Sequence, residues 1–374
     1  MTHVFIVNER TFNIHLQYLF AGTGYQENDL SCIIDSSASS TEKTLTGMIA
    51  DISKLRAGDK VLLYVTGCKK IFGVFEVDGT PFYEPFLPNR DNYLYSDLGK
   101  NLSFRVMIKP SAVYAAGISE QEALDEIYDI DHPYQMCWSL IYRKLSGMRG
   151  CSFLTDYESD RIISLIRNKN HGMAMVEEKY QYDFNNQTIA VSDETHVYSG
   201  NTTRSLDILK RMTEITNSFE VHLQAYITQN YDAALKTVLE TDNMNWIGNE
   251  VVCSVGEQRI DVMLIGETEN EVIIKVIELK DEKPGACIIK YQIPWYIKWV
   301  DQYVAPNYEK RVIIKPIIIA AKFRRRSVRQ TEFYDEKNRF NSSLPTNRSS
   351  AVTPLEYISF EIDSESQTIS FCRE

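Results

Sequence analysis

Hydrophobic and polar positions alternate in short bursts through the first part of the chain. Val61-Leu-Leu-Tyr-Val65 follows the turn Arg56-Ala-Gly-Asp-Lys60, and Ile71-Phe-Gly-Val-Phe-Glu-Val77 follows the turn Gly67-Cys-Lys-Lys70. Phe104-Arg-Val-Met-Ile-Lys109 reads as a further strand, and the opening Met1-Thr-His-Val-Phe-Ile-Val-Asn8 as a first one. Hairpin-linked strands of this length predict a small barrel or curled sheet. Residues 119–128 and 156–167 have helical apolar spacing, the second starting at the acidic cap Thr155-Asp156. The pattern then loosens: Asn168-Lys-Asn-His-Gly172, Ser192-Asp-Glu-Thr195 and Ser199-Gly-Asn-Thr-Thr203 read as loop material. The expected organisation is a first domain over 1–167, a linker over 168–204 and a second domain over 205–374.

The second domain is predicted to open with a long helical segment from about Ser205. Phe219-Glu-Val-His-Leu-Gln-Ala-Tyr-Ile227 belongs to it or to its successor. Two strands follow, Arg259-Ile-Asp-Val-Met-Leu-Ile265 and Val272-Ile-Ile-Lys-Val-Ile-Glu-Leu-Lys280. Then come a helical stretch from about Ala286 to Tyr303, an apolar strand over 312–321 and a final pair, Tyr357–Ile362 and Thr368–Phe371. Strands with helices on their faces make an α/β sandwich.

Side chains two apart on a strand share a face, so Glu278 and Lys280 point the same way. Across the hairpin lies Asp261. Two carboxylates supply hard oxygen ligands for Mg²⁺, and a lysine beside them can orient a water or neutralise a phosphate. The ordinary alternative makes Asp261 a turn cap and Glu278 with Lys280 a cross-strand surface pair. Glu-x-Lys alone decides nothing, since Glu177-Glu-Lys179 has it too. Around the strand pair, Gln292 and Tyr296 lie four apart on one helical face, and Glu220 sits on a helix able to lean over the same sheet end.

In this order the residues resemble the PD-(D/E)xK nuclease superfamily, in its RecB-like branch and NucS-type endonucleases. Glu220, Asp261, Glu278, Lys280, Gln292 and Tyr296 match the pattern helix Glu, Asp, Glu-x-Lys, Gln-x-x-x-Tyr over about 205–370. Pro294 between the last two should kink or restart the helix, and Ile260 stands where the superfamily's name has proline. The resemblance implies a metal held by Asp261, Glu278, the Leu279 carbonyl and Glu220. Lys280 would position the attacking water, its pKa lowered by burial or its charge held by the carboxylates. Gln292 and Tyr296 would orient the site or a DNA phosphate. Mg²⁺ is the implied ion, with Mn²⁺ able to substitute.

In the first domain Phe82, Tyr83, Tyr93, Tyr95, Trp138 and Tyr142 are candidates to hold an unstacked base, although each also suits a core. His3, His15 and His132 stand alone. Leu55-Arg-Ala-Gly-Asp-Lys-Val-Leu-Leu-Tyr64, Ile71–Val77, Ser103–Ile108 and Trp138-Ser-Leu-Ile-Tyr-Arg-Lys-Leu-Ser-Gly-Met-Arg-Gly150 are similar to the EVE or PUA-like fold, which implies a reader of modified bases. Arg143, Lys144 and Arg149 would add phosphate contacts. The expected class is thus α+β, a PUA-like small β-barrel with helices followed by an α/β restriction-endonuclease-like domain with a mixed sheet.

The net charge of −11 argues against indiscriminate coating of nucleic acid, but phosphate contact depends on local patches. One such patch is Lys322-Phe-Arg-Arg-Arg-Ser-Val-Arg329, in which Arg324, Arg325 and Arg326 are either phosphate ligands or a solvated loop or helix start. The seven cysteines lack a Cys-x-x-Cys pair, no stretch approaches about 20 apolar residues, and no signal-peptide pattern opens the chain. A reduced, cytoplasmic protein is expected. The expected function is modification-dependent restriction of invading double-stranded DNA, as a homodimer where both strands are cut. NucS-like repair of mismatched or branched DNA, or non-catalytic nucleic-acid binding, are the alternatives.

Overall fold

A computed structural model describes residues 1–24, 40–84, 94–125, 130–138, 150–200, 208–215, 219–253 and 258–374. They form two compact units. The first comprises Met1–Ile34, Asp51–Asp131 and Met136–Leu206, and the second Asp35–Ala50, His132–Gln135 and Asp207–Glu374.

The first unit is built on strands β1 (Thr2–Val7), β2 (Phe20–Thr23), β3 (Lys60–Val65), β4 (Lys70–Val77), β5 (Phe82–Tyr83), β6 (Phe104–Pro110), β7 (Ile118–Ser119) and β8 (Cys151–Leu154). The sheet runs β2-β6-β4-β3-β1-β8, with β5 on β6 and β7 on β4. β1 lies parallel to β3, because helix α1 (Glu9–Tyr18) follows it and the chain returns only later. Asn8 and Thr11 cap that helix reciprocally. The sheet curls: Gly150, just before β8, lies so close to Thr23 at the end of β2 that a Cβ would meet its hydroxyl. Of the small barrel and the curled sheet that the strands predict, the described residues form the curled sheet, a half-barrel.

The stretch expected as a linker is folded. After α3 (Asp156–Lys169), β9 (Tyr180–Asp183) and β10 (Thr188–Val191) form a hairpin. Asn13 Oδ1 accepts from the Tyr182 N–H at 2.8 Å, and the Tyr182 ring centroid lies 5.1 Å from that of Phe12. Strands of four residues give too little alternation to stand out in sequence.

The second unit carries a mixed sheet ordered β11 (Met244–Val252), β12 (Arg259–Glu267), β13 (Glu271–Lys280), β14 (Arg311–Ala321), β16 (Glu356–Asp363) and β17 (Thr368–Arg373), with β15 (Ser350–Val352) on β14. β11, β12 and β13 are antiparallel neighbours, whereas β13, β14 and β16 run parallel. β13 and β14 are apolar on both faces, as central strands must be. The helical segment expected from about Ser205 is α4 (Ile208–Glu214), and Phe219–Ile227 falls on its successor, α5 (Glu220–Asn230). α2 (Ser40–Ile52) supplies residues to this unit through a buried cluster: Glu42 accepts from Arg211 Nε at 2.6 Å and Nη2 at 2.9 Å, and lies 2.8 Å from His222 Nε2. No helix among the described residues is long and apolar enough to cross a membrane.

Candidate active site

The β12–β13 ladder ends at the pair Val262–Ile277. One position further the strands part, and Asp261 takes up the slack: its Oδ2 accepts from the Leu279 N–H at 2.7 Å. Residues of one strand present N–H and C=O to the same neighbour, so the Leu279 carbonyl opens toward the same gap. Glu278, 1% exposed as a side chain would be in a core, lies on the face shared with Lys280. Lys280 Nζ sits 3.0 Å from Glu278 Oε1 and donates to Glu220 Oε2, also at 3.0 Å. The Tyr296 hydroxyl donates to Glu278 Oε2 at 2.9 Å. Asp261 does cap a backbone group, but the buried Glu278 is not half of a surface pair.

These distances set the charges. Burial, then the charge of Glu278, holds the Asp261 carboxyl well above the usual carboxylate range, with the Leu279 N–H and Lys280 opposing. Burial likewise raises Glu220, against the pull of Lys280. Burial works against the Lys280 ammonium, yet Glu278, Asp261 and Glu220 together outweigh it and hold Lys280 above its ordinary value. Of the two readings open in sequence, the second therefore applies. Lys280 is a fixed cation with no lone pair to act as a base.

Helix α6 (Ile293–Tyr303) begins with Pro294 near its N-terminus, preceded by a π-helical turn over Ile288–Gln292. The wider turn lets the chain pass Pro294 without a broken hydrogen-bond ladder, since a first-turn proline has no bond to lose. Of the kink and the restart expected at Pro294, the restart applies, since an α-helix begins at Ile293 after the π-turn. It carries Tyr296 onto Glu278, while Gln292 stays half-buried. One residue the sequence reading missed is Gln224, one turn beyond Glu220 on α5. Its Nε2 donates to the Asp261 carbonyl at 2.9 Å and to Glu250 Oε1 at 3.1 Å. The Glu220-x-x-x-Gln224 spacing was the available signal. Tyr296→Phe removes one of the two donors that reach Glu278 among the described residues, and on the nuclease expectation cleavage should slow by about tenfold, the worth of one hydrogen bond to a charged group. Steady-state rates at saturating Mg²⁺ check this, and an unchanged rate would remove Tyr296 from the site.

Because β14 runs parallel to β13, with Ala320 opposite Lys280, the basic stretch leaves the sheet at the same end as the acids. Arg324 is tied to Glu361 at 3.4 Å, and Arg329 reaches Glu282 at 3.0 Å. Arg325 and Arg326 are exposed. Lys322–Ser327 is a loop, exposed at the three arginines, that leads into α7 (Val328–Ser342), capped by Ser327.

In the first unit Phe82 is core, Tyr95 is exposed, and Tyr83 and Trp138 are half-buried. Tyr93, Tyr142, Arg143, Lys144 and Arg149 lie outside the described residues. Tyr83 packs on Phe104 with centroids 5.8 Å apart. Beside them, at the end of β2 and the start of β6, Thr23 Oγ1, Ser103 Oγ and both ends of the Asn101 amide are buried with no hydrogen-bond partner among the described residues. Beneath runs a satisfied network, in which Arg105 Nη1 donates to the Tyr198 hydroxyl at 3.0 Å and that hydroxyl donates to Glu84 at 3.2 Å. Two of the isolated histidines are structural: His3 is buried against Asp59 at 3.0 Å, and burial pushes His15 down to about 3, whereas His132 is exposed with its ring stacked on Tyr134.

No family model matches the chain, and no curated protein matches it. Among solved structures, the crystal structure of human THYN1 protein in complex with 5-methylcytosine containing DNA matches 44% of this chain and 96% of its own, at 11% identity and a TM-score of 0.27. At that score the likeness leaves both sites to be read from their own geometry.

Proposed function

We propose that this chain is a metal-dependent DNA endonuclease whose first unit selects the target by reading a modified base. Restriction of invading DNA is the role that fits such a pair. The observation that supports the reading best is the convergence of Asp261, Glu278 and Lys280 from two paired strands, with Glu220 and Tyr296 from two helices bonded to them.

The donor set fits a hard divalent ion. Asp261 and Glu278 are forced together at a cost that a cation would relieve, and Asp261 Oδ1 meets no hydrogen-bond donor among the described residues. Among those residues no three His, Cys, Asp or Glu side chains are already gathered around a metal position. Two carboxylates and the Leu279 carbonyl would hold Mg²⁺ or Mn²⁺, and Glu220 serves Lys280 instead of completing the shell. When bound, the ion would supply a Lewis acid for the phosphate and an acidified water. Lys280 spends two N–H groups on Glu278 and Glu220 and keeps one for a water or a phosphate oxygen. Tyr296 fixes Glu278, and Gln224 fixes the backbone of Asp261. Arg325 and Arg326 would meet the DNA backbone.

For the reader, the unspent amide of Asn101 and the hydroxyls of Ser103 and Thr23 would take the edge of an extruded base, next to the ring of Tyr83. Replacing a buried polar group that has no partner by an apolar group of the same shape costs a fold little. Asn101→Leu should therefore melt at about the same temperature, yet lose about tenfold in preference for modified DNA, the worth of a base-edge contact. Competition binding between modified and unmodified duplexes measures this, and unaltered preference would place the reader elsewhere.

The decisive experiment is digestion of phage genomes carrying different modified bases, with Mg²⁺ and in parallel with EDTA. Cleavage of particular modified genomes in Mg²⁺ alone is expected. Failure to cut any genome with Mg²⁺ or Mn²⁺ would sink the catalytic reading.

A further inference from the structure

The segment that brings Tyr296 to Glu278 turns two other rings outward. Tyr291 is 73% exposed and Trp295 44% exposed, and they precede Gln292 and Tyr296 by one position each. They begin a series at four-residue spacing that continues with Trp299 and Tyr303. At the far end the series is covered: Trp299 is 9% exposed, with its ring centroid 6.1 Å from that of Tyr303. At the end beside the acids it is open. Trp295 Nε1 donates to the Cys253 carbonyl at 3.1 Å, which anchors one edge of the indole. The next residue on the same helix, Tyr296, donates its hydroxyl to Glu278 Oε2 at 2.9 Å. Trp295 thus stands at the rim of the candidate active site, with Tyr291 one helical turn before it.

Among the described residues Tyr291 is the most exposed aromatic side chain, and with Trp295 one helical turn away it forms an exposed pair and not a single scattered ring. A Trp and a Tyr cover about 150–250 Å² each, so the pair falls short of the roughly 800 Å² per side of a stable protein interface. The pair does match one or two nucleobases, each of which offers a flat π-face whatever its sequence.

We propose that Tyr291 and Trp295 form a stacking lip that receives an unstacked base of the strand being cut. The protein then favours single-stranded, mismatched or locally opened DNA over fully paired duplex at the point of cleavage. This rests on the nuclease reading of the adjoining acids.

The test uses the full chain in EDTA, so that binding is measured without cleavage. The probes are a fluorescein-labelled single-stranded oligonucleotide and the same sequence as a duplex. The double variant Tyr291→Ala/Trp295→Ala should bind the single strand about tenfold more weakly, from the loss of stacking on two rings, while duplex binding stays unchanged. The double variant Tyr291→Phe/Trp295→Phe keeps both π-faces and should stay within about threefold of the parent. Equal single-strand binding by the alanine variant overturns the proposal. So does a changed sedimentation coefficient with unchanged binding, which would mean that the rings cover a protein surface. A second arm adds Mg²⁺ and compares mismatched with paired duplex. If the parent cuts neither, the nuclease reading fails and the binding arm still decides the lip. If parent and alanine variant cut both in the same ratio, the lip fails and the nuclease reading stands.

Discussion

Asp261→Asn is expected to abolish cleavage while making the metal-free protein more stable. The loss should be on the order of a thousandfold or more, because the variant removes a charged ligand at the centre of the reaction. The gain follows from the repulsion between Asp261 and Glu278. The ordinary aspartate value is 3.8, and burial with the Glu278 charge holds folded Asp261 well above it. An acid raised in this way contributes stability that is fully present below its unfolded pKa and is lost as pH rises through its folded pKa. Asparagine does not titrate, so the advantage of the variant over the parent should widen as pH rises from about 4 toward neutrality and beyond. Buried His3, His15 and His222 lie below the ordinary 6.5 and gain stability with rising pH, but they do so equally in both proteins and cancel in the comparison. Thermal melting in EDTA across this range is the measurement. Mg²⁺ should raise the melting temperature of the parent and leave the variant where it is. A variant that melts lower at neutral pH, or a gap independent of pH, would remove Asp261 from any charged pair with Glu278.

Lys280→Met should slow cleavage by about two to three orders of magnitude, the usual cost of removing one fixed electrostatic donor from a reaction centre. The informative part is the shape of the pH profile. Lys280 is held above its ordinary 10.5 by Glu278, Asp261 and Glu220, against burial. It stays charged through the working range, and on the proposed nuclease reading it would serve as a donor and not as the base that takes a proton from water. The variant's rate should therefore run parallel to the parent's from mildly acid to mildly alkaline pH, displaced downward. Its melting temperature should fall by a similar amount throughout that range, since a raised lysine contributes stability fully present below its unfolded pKa and lost only through its higher folded one. Loss of a limb from the rate profile would instead make Lys280 the base. Cleavage within tenfold of the parent would take it out of the chemistry.

How much of this was legible can be followed residue by residue. The strands over 259–267, 271–280 and 311–321 were readable because their apolar runs are long and β-branched, and the register of Glu278 with Lys280 followed from a period of two. The cap at Thr155 was readable because a capping box is local, with Thr155 and Glu158 three residues apart. The hairpin at 180–191 was not, since each strand spans one alternation. Nor was the attachment of α2, which depends on Glu42 meeting Arg211 and His222 across a separation of more than 160 residues. Gln224 was overlooked because its partner is a backbone carbonyl, and a carbonyl leaves no mark on sequence.

The sequence by itself determined the set of acids and the lysine and the strand on which two of them share a face, because both are matters of residue identity and a repeat of two. It also located a basic stretch directly after an apolar strand. Only the tertiary structure decided that Lys280 is a cation held between Glu278 and Glu220, that Tyr296 reaches Glu278 past a proline, and that Trp295 stands open at the rim with Tyr291 one turn before it. Charge state depends on burial and on neighbours brought together across 60 positions of chain. Exposure depends on what packs over each ring, and neither is encoded in local spacing.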